Sequence, residues 1–270
     1  MKKILSYSVV LFLTLAILYA CTSVPITGRK QFNVLPESQL ISMSLTEYES
    51  FLKENKLSTD AANTKLVKAV GARISKAVEE FLVQNGLGSR VSEFQWEFNL
   101  VQDDTPNAWC MPGGKVVFYT GILPYTQSES GIAVVMGHEI AHAVARHGNE
   151  RMSQQMGIQL GEAALSVALS EKPEQTQNLF LAAYGVGSQV GVMLPFSRSH
   201  ESEADKMGLI FMAMAGYDPN EAVAFWQRMA QSGGSSTLEI LSTHPSDETR
   251  ITNLKKFIPE AMKYYKAPAK

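Results

Sequence analysis

A His-Glu-Ile-Ala-His run at residues 138–142 constrains this 270-residue chain more than anything else in it. On a helix of about 3.6 residues per turn, positions i and i+4 lie one above the other. His138 and His142 therefore aim two imidazole nitrogens at one ion, and Glu139, about 100° further round, reaches a water beside it. That pattern suits zinc hydrolysis: the ion brings a water's pKa to roughly 7, and a carboxylate takes its proton during attack on a peptide carbonyl. The surrounding segment is rich in Ala, Val and Ile, which predicts a buried helix. Thr126 and Glu129 are its expected capping box, and Gly148 its expected stop.

Two ligands do not make a zinc site. A metzincin continues with Gly at 145 and His at 148, whereas this chain has Ala145 and Gly148. His147 is no substitute, because nine residues from His138 is about half a turn off the metal face. A di-iron carboxylate bundle requires a second Glu-x-x-His, and only Glu139 and His142 have that spacing. The remaining candidates lie in Ser199-His200-Glu201-Ser202-Glu203-Ala204-Asp205. On a helix Glu201 and Asp205 share a face, while Glu203 is rotated about 200° from Glu201. The pair suits one carboxylate on the metal and one orienting a ligand histidine through its free ring N–H. The competing reading is an acidic, solvated helix face.

Further stretches carry a family resemblance. They are Thr27-Gly28-Arg29-Lys30-Gln31, Asn107-Ala108 with Pro112-Gly113-Gly114, and Gly137-His138-Glu139-Ile140-Ala141-His142. Phe196-Ser197-Arg198, Glu201-Ser202-Glu203-Ala204-Asp205 and Thr243-His244-Pro245 follow in order. Together they resemble the HtpX-like and Oma-type zinc metallopeptidases (metallopeptidase family 48), especially the bacterial BepA/LoiP-like periplasmic and lipoprotein branch. The resemblance implies an α+β, zincin-like (minigluzincin) fold and one Zn2+ per chain. It makes Glu201 the third ligand, has Asp205 support the site from behind, and puts His244 in the active-site cleft as a catalytic residue. It also implies misfolded or stalled envelope proteins as substrates. A second reading, from a different class, is a chaperone or assembly factor whose proteolysis is gated. His244 bears on it, since it can stand where the catalytic water would. A purely structural zinc site is disfavoured: such sites are closed by four ligands, often Cys, and neither metal motif contains one.

The N-terminus predicts export. Lys2-Lys3 followed by the apolar run Ile4–Leu18 reads as a signal peptide over residues 1–20. Leu18-Tyr19-Ala20-Cys21 resembles a lipobox, which makes Cys21 a lipidated terminus on a tether through residue 36. The alternative is an uncleaved signal anchor. The expected product is a periplasm-facing lipoprotein, on the outer membrane in preference to the inner, acting on polypeptides. With a net charge of −2 and no basic stripe, nothing argues for nucleic acid.

Between these landmarks the periodicity is legible. Helices are expected near 37–55 and 60–85, the second with a core stripe of Leu66, Val67, Val70, Ile74, Val78, Phe81 and Leu82. Phe94–Gln102 alternates as a half-buried strand, and Asn107–Met111 with Lys115–Thr120 reads as a hairpin about Pro112-Gly113-Gly114. The expectation is a small antiparallel sheet before the active-site helix. Its edge, with Asn107 and Ala108, is the candidate for binding substrate as an added strand, the alternative being an edge capped by the protein's own loop. Residues 150–192 are expected to be helical but broken by glycines and Pro173, and packed as core in preference to forming a substrate-gating hairpin or touching the bilayer. The metallopeptidase domain is placed at 37–258, with an exposed tail from 259 to 270.

Overall fold

The structure is a computed structural model that describes residues 21–232, 244 and 248–267. In chain order its elements are β1 (Cys21–Ser23), β2 (Lys30–Phe32), α1 (Glu37–Glu54), α2 (Ala61–Gln84), β3 (Glu97–Val101), β4 (Ala108–Met111) and β5 (Lys115–Tyr119). There follow α3 (Glu129–Val144), α4 (His147–Ala168), α5 (Glu174–Ser188), α6 (Leu194–Met214), α7 (Glu221–Ser232) and α8 (Glu248–Ala261). The fold is mostly helical with two small sheets. The proposed signal peptide, and the residues on either side of His244, lie outside the described residues.

The chain forms two compact units, one of residues 21–37 and 146–199, the other of 38–145 and 200–267. The larger unit is organised by α2 and α3. Asp60 caps α2 by accepting from the Asn63 amide, and every residue of the expected stripe except Leu66 is buried. The three-stranded sheet has the order β3-β5-β4. The hairpin is as expected, with Ala108 opposite Phe118. The sheet, however, is mixed: β3 runs parallel to β5, with Glu97 opposite Lys115. Nor is β3 half-buried. Phe98 covers Gly71 of α2, while Asn99 on the opposite face donates to the Tyr48 hydroxyl of α1 at 2.7 Å. Helices cover both faces, so the alternation in the sequence marks two packing partners instead of core and solvent.

The active-site helix α3 starts two residues later than a Thr126 cap implies. Ser128 is the cap, accepting from the Gly131 amide, and Thr126 Oγ1 instead donates to the Leu123 carbonyl. The helix also stops before Gly148. Ala145 closes it, Arg146 takes a left-handed φ of 57°, and Gly148 lies inside α4. The Arg90 guanidinium donates to the Val144 carbonyl at 2.9 Å, serving one of the carbonyls a helix end leaves open. At the C-terminus, α8 continues through Pro259 to the buried Ala261, and the Lys266 amide bonds the Ala213 carbonyl. The expected exposed tail is thus partly packed. Pro259 sits on the solvent side, and the carbonyl it cannot serve belongs to exposed Lys255.

In the smaller unit, the segment expected to be a free tether is docked. β1 and β2 pair antiparallel about a turn with positive φ at Ile26 and Gly28. Arg29 grips the buried Glu150 of α4 through two contacts of 2.7 Å, and Gln31 adds a third at 3.0 Å. A carboxylate buried there requires such partners, and that requirement explains the Arg and Gln of this stretch. Residues 150–192 are helical and broken as expected, with a π turn at Gln189–Met193. They are not core: α5 buries no residue, and α4 buries only His147, Asn149, Glu150, Ser153 and Gln154 near its start.

Candidate metal centre

The larger unit brings His138, His142, Glu201 and His244 together. One ligand atom from each lies within 4.8 Å of all the others. His138 Nε2 is 3.2 Å from His142 Nε2 and 3.1 Å from His244 Nδ1. Glu201 lies 3.3 Å from each of His138 and His142, and 2.9 Å from His244 Nδ1. A tetrahedral zinc with bonds of about 2.0–2.1 Å sets its ligand atoms about 3.3 Å apart. The donor set therefore fits zinc in both type and spacing.

Two glycines make this convergence possible. A Cβ on Gly137 would lie 2.9 Å from the Gly208 carbonyl oxygen, and one on Gly208 would lie 2.9 Å from the His138 amide. So α3 and α6 cross with their backbones in contact, bringing Glu201 up to the two histidines. Gly208→Ala is expected to wedge the helices apart, costing about 1–3 kcal/mol by overpacking and weakening zinc retention. Gly148, with nothing within 4 Å of its added Cβ, is the control. Denaturant melts and metal analysis of Gly208→Ala and Gly148→Ala check this. Equal stability of the two variants would contradict it.

Asp205 stands behind His138, with Oδ1 3.0 Å from Nδ1. It is itself held by Arg250, through Nε at 2.8 Å and NH2 at 2.6 Å. Arg250 also donates to the His244 carbonyl at 3.3 Å and stacks 3.4 Å from the Trp226 ring centroid. Neither Arg250 nor Trp226 stood out in the sequence. The only local signals were an arginine six residues after His244 and a tryptophan on the apolar face of α7. His200, Glu203 and Asp205 are all buried, which removes the reading of this stretch as a solvated acidic face.

The electrostatics follow from that burial. Burial works against the charged form of Glu201, but the three surrounding histidines outweigh it and hold the carboxyl well below the usual range. Asp205 is likewise held low, the Arg250 guanidinium overcoming the effect of burial. Burial lowers His142 to about 4, keeping its imidazole neutral. For His138 burial pushes the same way, but hydrogen bonds to Asp205 and Glu201 prevail and raise it to about 9. Burial pushes Glu139 up. Its Oε1 has no hydrogen-bond partner among the described residues and lies 3.6 Å from His244 Nε2, beyond bonding distance.

The other sequence candidates fall around this centre. Ala108 begins β4, which packs against α3 at the outer edge of the sheet. The Asn107 carbonyl accepts from the Tyr119 amide, and its Oδ1 from Ala108. Cys110, on the same strand, is a free thiol whose pKa burial pushes well up. Cys21 opens β1, opposite Phe32, in the smaller unit.

Comparison with known proteins agrees with this chemistry. Peptidase family M48 matches residues 68–258. The mitochondrial metalloendopeptidase OMA1 of Schizosaccharomyces pombe is 34% identical over 244 residues, covering 88% of this chain and 66% of that protein. Human mitochondrial metalloendopeptidase OMA1 is 30% identical over 250 residues, covering 88% and 46%. A putative beta-barrel assembly-enhancing protease of Vibrio cholerae is 34% identical over 165 residues, covering 58% and 33%. This chain thus spans a third to two thirds of the length of these relatives. With the family's match covering most of its length, the chain belongs to peptidase family M48 and is similar to its Oma-type metallopeptidases.

Proposed function

We propose that this chain is a zinc-dependent endopeptidase of minigluzincin type, with one Zn2+ held by His138, His142 and Glu201. The observation that carries this is the convergence of those donor atoms beside the buried Oε1 of Glu139, which has no hydrogen-bond partner among the described residues. Zinc held there supplies a Lewis acid that polarises a carbonyl and lowers the pKa of water to about 7. Asp205 accepts the Nδ1 proton of His138, so Nε2 is the ring nitrogen turned to the donor cluster and would ligate zinc on giving up its proton. Arg250 fixes Asp205 in that role. Glu139 takes the proton of the attacking water and delivers it to the leaving amine, and its burial strengthens it as a base. An extended polypeptide adds to the outer edge of β4, entering at Asn107 and Ala108.

The substrates in this reading are misfolded or stalled envelope proteins. The name of the Vibrio cholerae relative, tied to beta-barrel assembly, supports that class. The protein is exported, anchored through lipid on Cys21 and faces the periplasm from the outer membrane, with the metallopeptidase machinery in residues 37–258. Comparing protein termini in cells carrying the wild type or Glu139→Gln tests the substrates. New termini in envelope proteins should depend on Glu139, and an unchanged set would refute the assignment. Metabolic labelling with a palmitate analogue tests the anchor, and a membrane-bound wild type without label would favour the uncleaved signal instead.

The position of His244 favours a gated form of the same enzyme. Its Nδ1 lies 3.1 Å from His138 Nε2 and 2.9 Å from Glu201, in the space the catalytic water would otherwise take. His244→Ala is therefore expected to raise basal casein hydrolysis. If the residue serves instead as an oxyanion donor, the same change lowers the rate by about 10²–10³. An unaltered rate removes it from the mechanism.

A further inference from the structure

The smaller unit carries an apolar surface that the peptidase reading does not use. On α5, Leu179, Phe180 and Val186 are 68%, 52% and 65% exposed, and Val190, in the π turn that follows, is 60% exposed. Leu179 and Val186 stack within about 20° on one helical face. Tyr184 points elsewhere, donating to the Ile158 carbonyl of α4 at 3.0 Å and holding the two helices together. From Gln175 to Ser197 the chain carries no charged side chain. Within the helical stretch Glu174–Met214, an 18-residue window has a mean hydropathy of 1.5 and no burial. A monomer in water rarely leaves such a surface open.

A second observation says what covers it. An apolar groove runs between α4 and α5, and Phe32 of β2 forms part of its wall along with Ile158, Tyr184 and Val192. Phe32 is the register partner of Cys21. The chain therefore enters this unit beside the groove, directly after the apolar run Ile4–Leu18. On the export reading proposed above, whether Cys21 carries acyl chains or the run itself remains as an anchor, the attachment to lipid starts beside the apolar hairpin.

We propose that the α4–α5 hairpin is a second membrane contact, lying in the plane of a phospholipid bilayer with the exposed face of α5 among the acyl chains. Crossing the bilayer is the alternative, and the hairpin's own residues oppose it. A crossing requires two apolar arms, yet α4 carries Glu150, Arg151 and Glu162 and a run of glutamines. The tip between the arms holds Glu171, Lys172 and Glu174. An amphipathic element with one apolar face and a charged turn is suited to the interface.

The test uses the full chain reconstituted in phosphatidylethanolamine–phosphatidylglycerol vesicles containing a lipid with a photoactivatable acyl chain. Labelled peptides are then mapped by mass spectrometry. The expected result is label on residues 174–194 as well as on the N-terminal run, about tenfold above peptides of buried α2. A probe near the glycerol end of the acyl chain should label the hairpin more than one at the chain terminus. The reverse order would overturn the in-plane placement. In the exposed-site variant Leu179→Glu with Phe180→Glu and Val186→Glu, hairpin label should vanish. Casein hydrolysis and N-terminal label should persist, since none of the three belongs to the metal centre or to the unit that holds it. Label confined to the N-terminal run overturns the proposal, as does crosslinking of the hairpin to residues 4–18 in place of lipid.

Discussion

Glu139→Gln is expected to abolish peptide hydrolysis while leaving both the fold and the bound metal intact. The amide is nearly the same size as the carboxyl, so the buried position beside β4 is filled without a cavity. It cannot accept the proton that Oε1 is placed to take, and among the described residues that oxygen has no competing hydrogen bond to rearrange. Loss of a general base costs typically about 10²–10⁴ in rate. The proper readout is kcat on a casein-derived peptide, normalised to metal content. A metal-loaded Glu139→Gln protein with near-wild-type turnover would remove Glu139 from the chemistry. Burial raises the carboxyl's pKa, so the neutral amide also spares a desolvation cost, and the variant should be no less stable than the wild type.

Glu201→Ala is expected to empty the site, and Glu203→Gln is not. Glu201 places its two oxygens 3.3 Å from both α3 histidines, whereas Glu203 points about 200° round α6. Both carboxylates are largely buried, so burial does not separate them; direction does. Removing Glu201 leaves His138 and Arg250 facing one another without the carboxylate between them, and takes a ligand atom from beside His142. Metal content should fall from about one ion per chain to near zero. Because metal binding is folding free energy, thermal stability should fall with it and become insensitive to chelator. Glu203→Gln keeps hydrogen-bonding capacity at its position and should retain the ion even if stability drops. If Glu203→Gln is the variant that empties the site, the ligand assignment is off by two residues.

The parts of this molecule that a reader can take from its sequence are those written in local periodicity. Helices expected near 37–55 and 60–85 appear as Glu37–Glu54 and Ala61–Gln84, because long stripes with clear punctuation leave little freedom at the ends. His138 and His142 are placed by helix geometry alone, and phase separates Glu201 from Glu203. The docking of Arg29 and Gln31 on Glu150 joins positions about 120 residues apart, so composition alone reads that segment as a tether. The parallel pairing of β3 with β5 is equally non-local, since alternation cannot say which strand lies beside which. Arg250 is hidden for the same reason. An arginine on a short C-terminal helix looks solvated until Asp205 and Trp226 are seen against it. The glycine crossing of α3 and α6 required two positions 71 residues apart to be read together.

The most direct test of the central claim is casein hydrolysis by the purified full chain before and after removal of metal by a chelator. Activity should disappear with the metal and return when about one equivalent of Zn2+ per chain is restored. Hydrolysis that persists unchanged in metal-free protein would contradict the assignment of His138, His142 and Glu201 as a catalytic zinc centre.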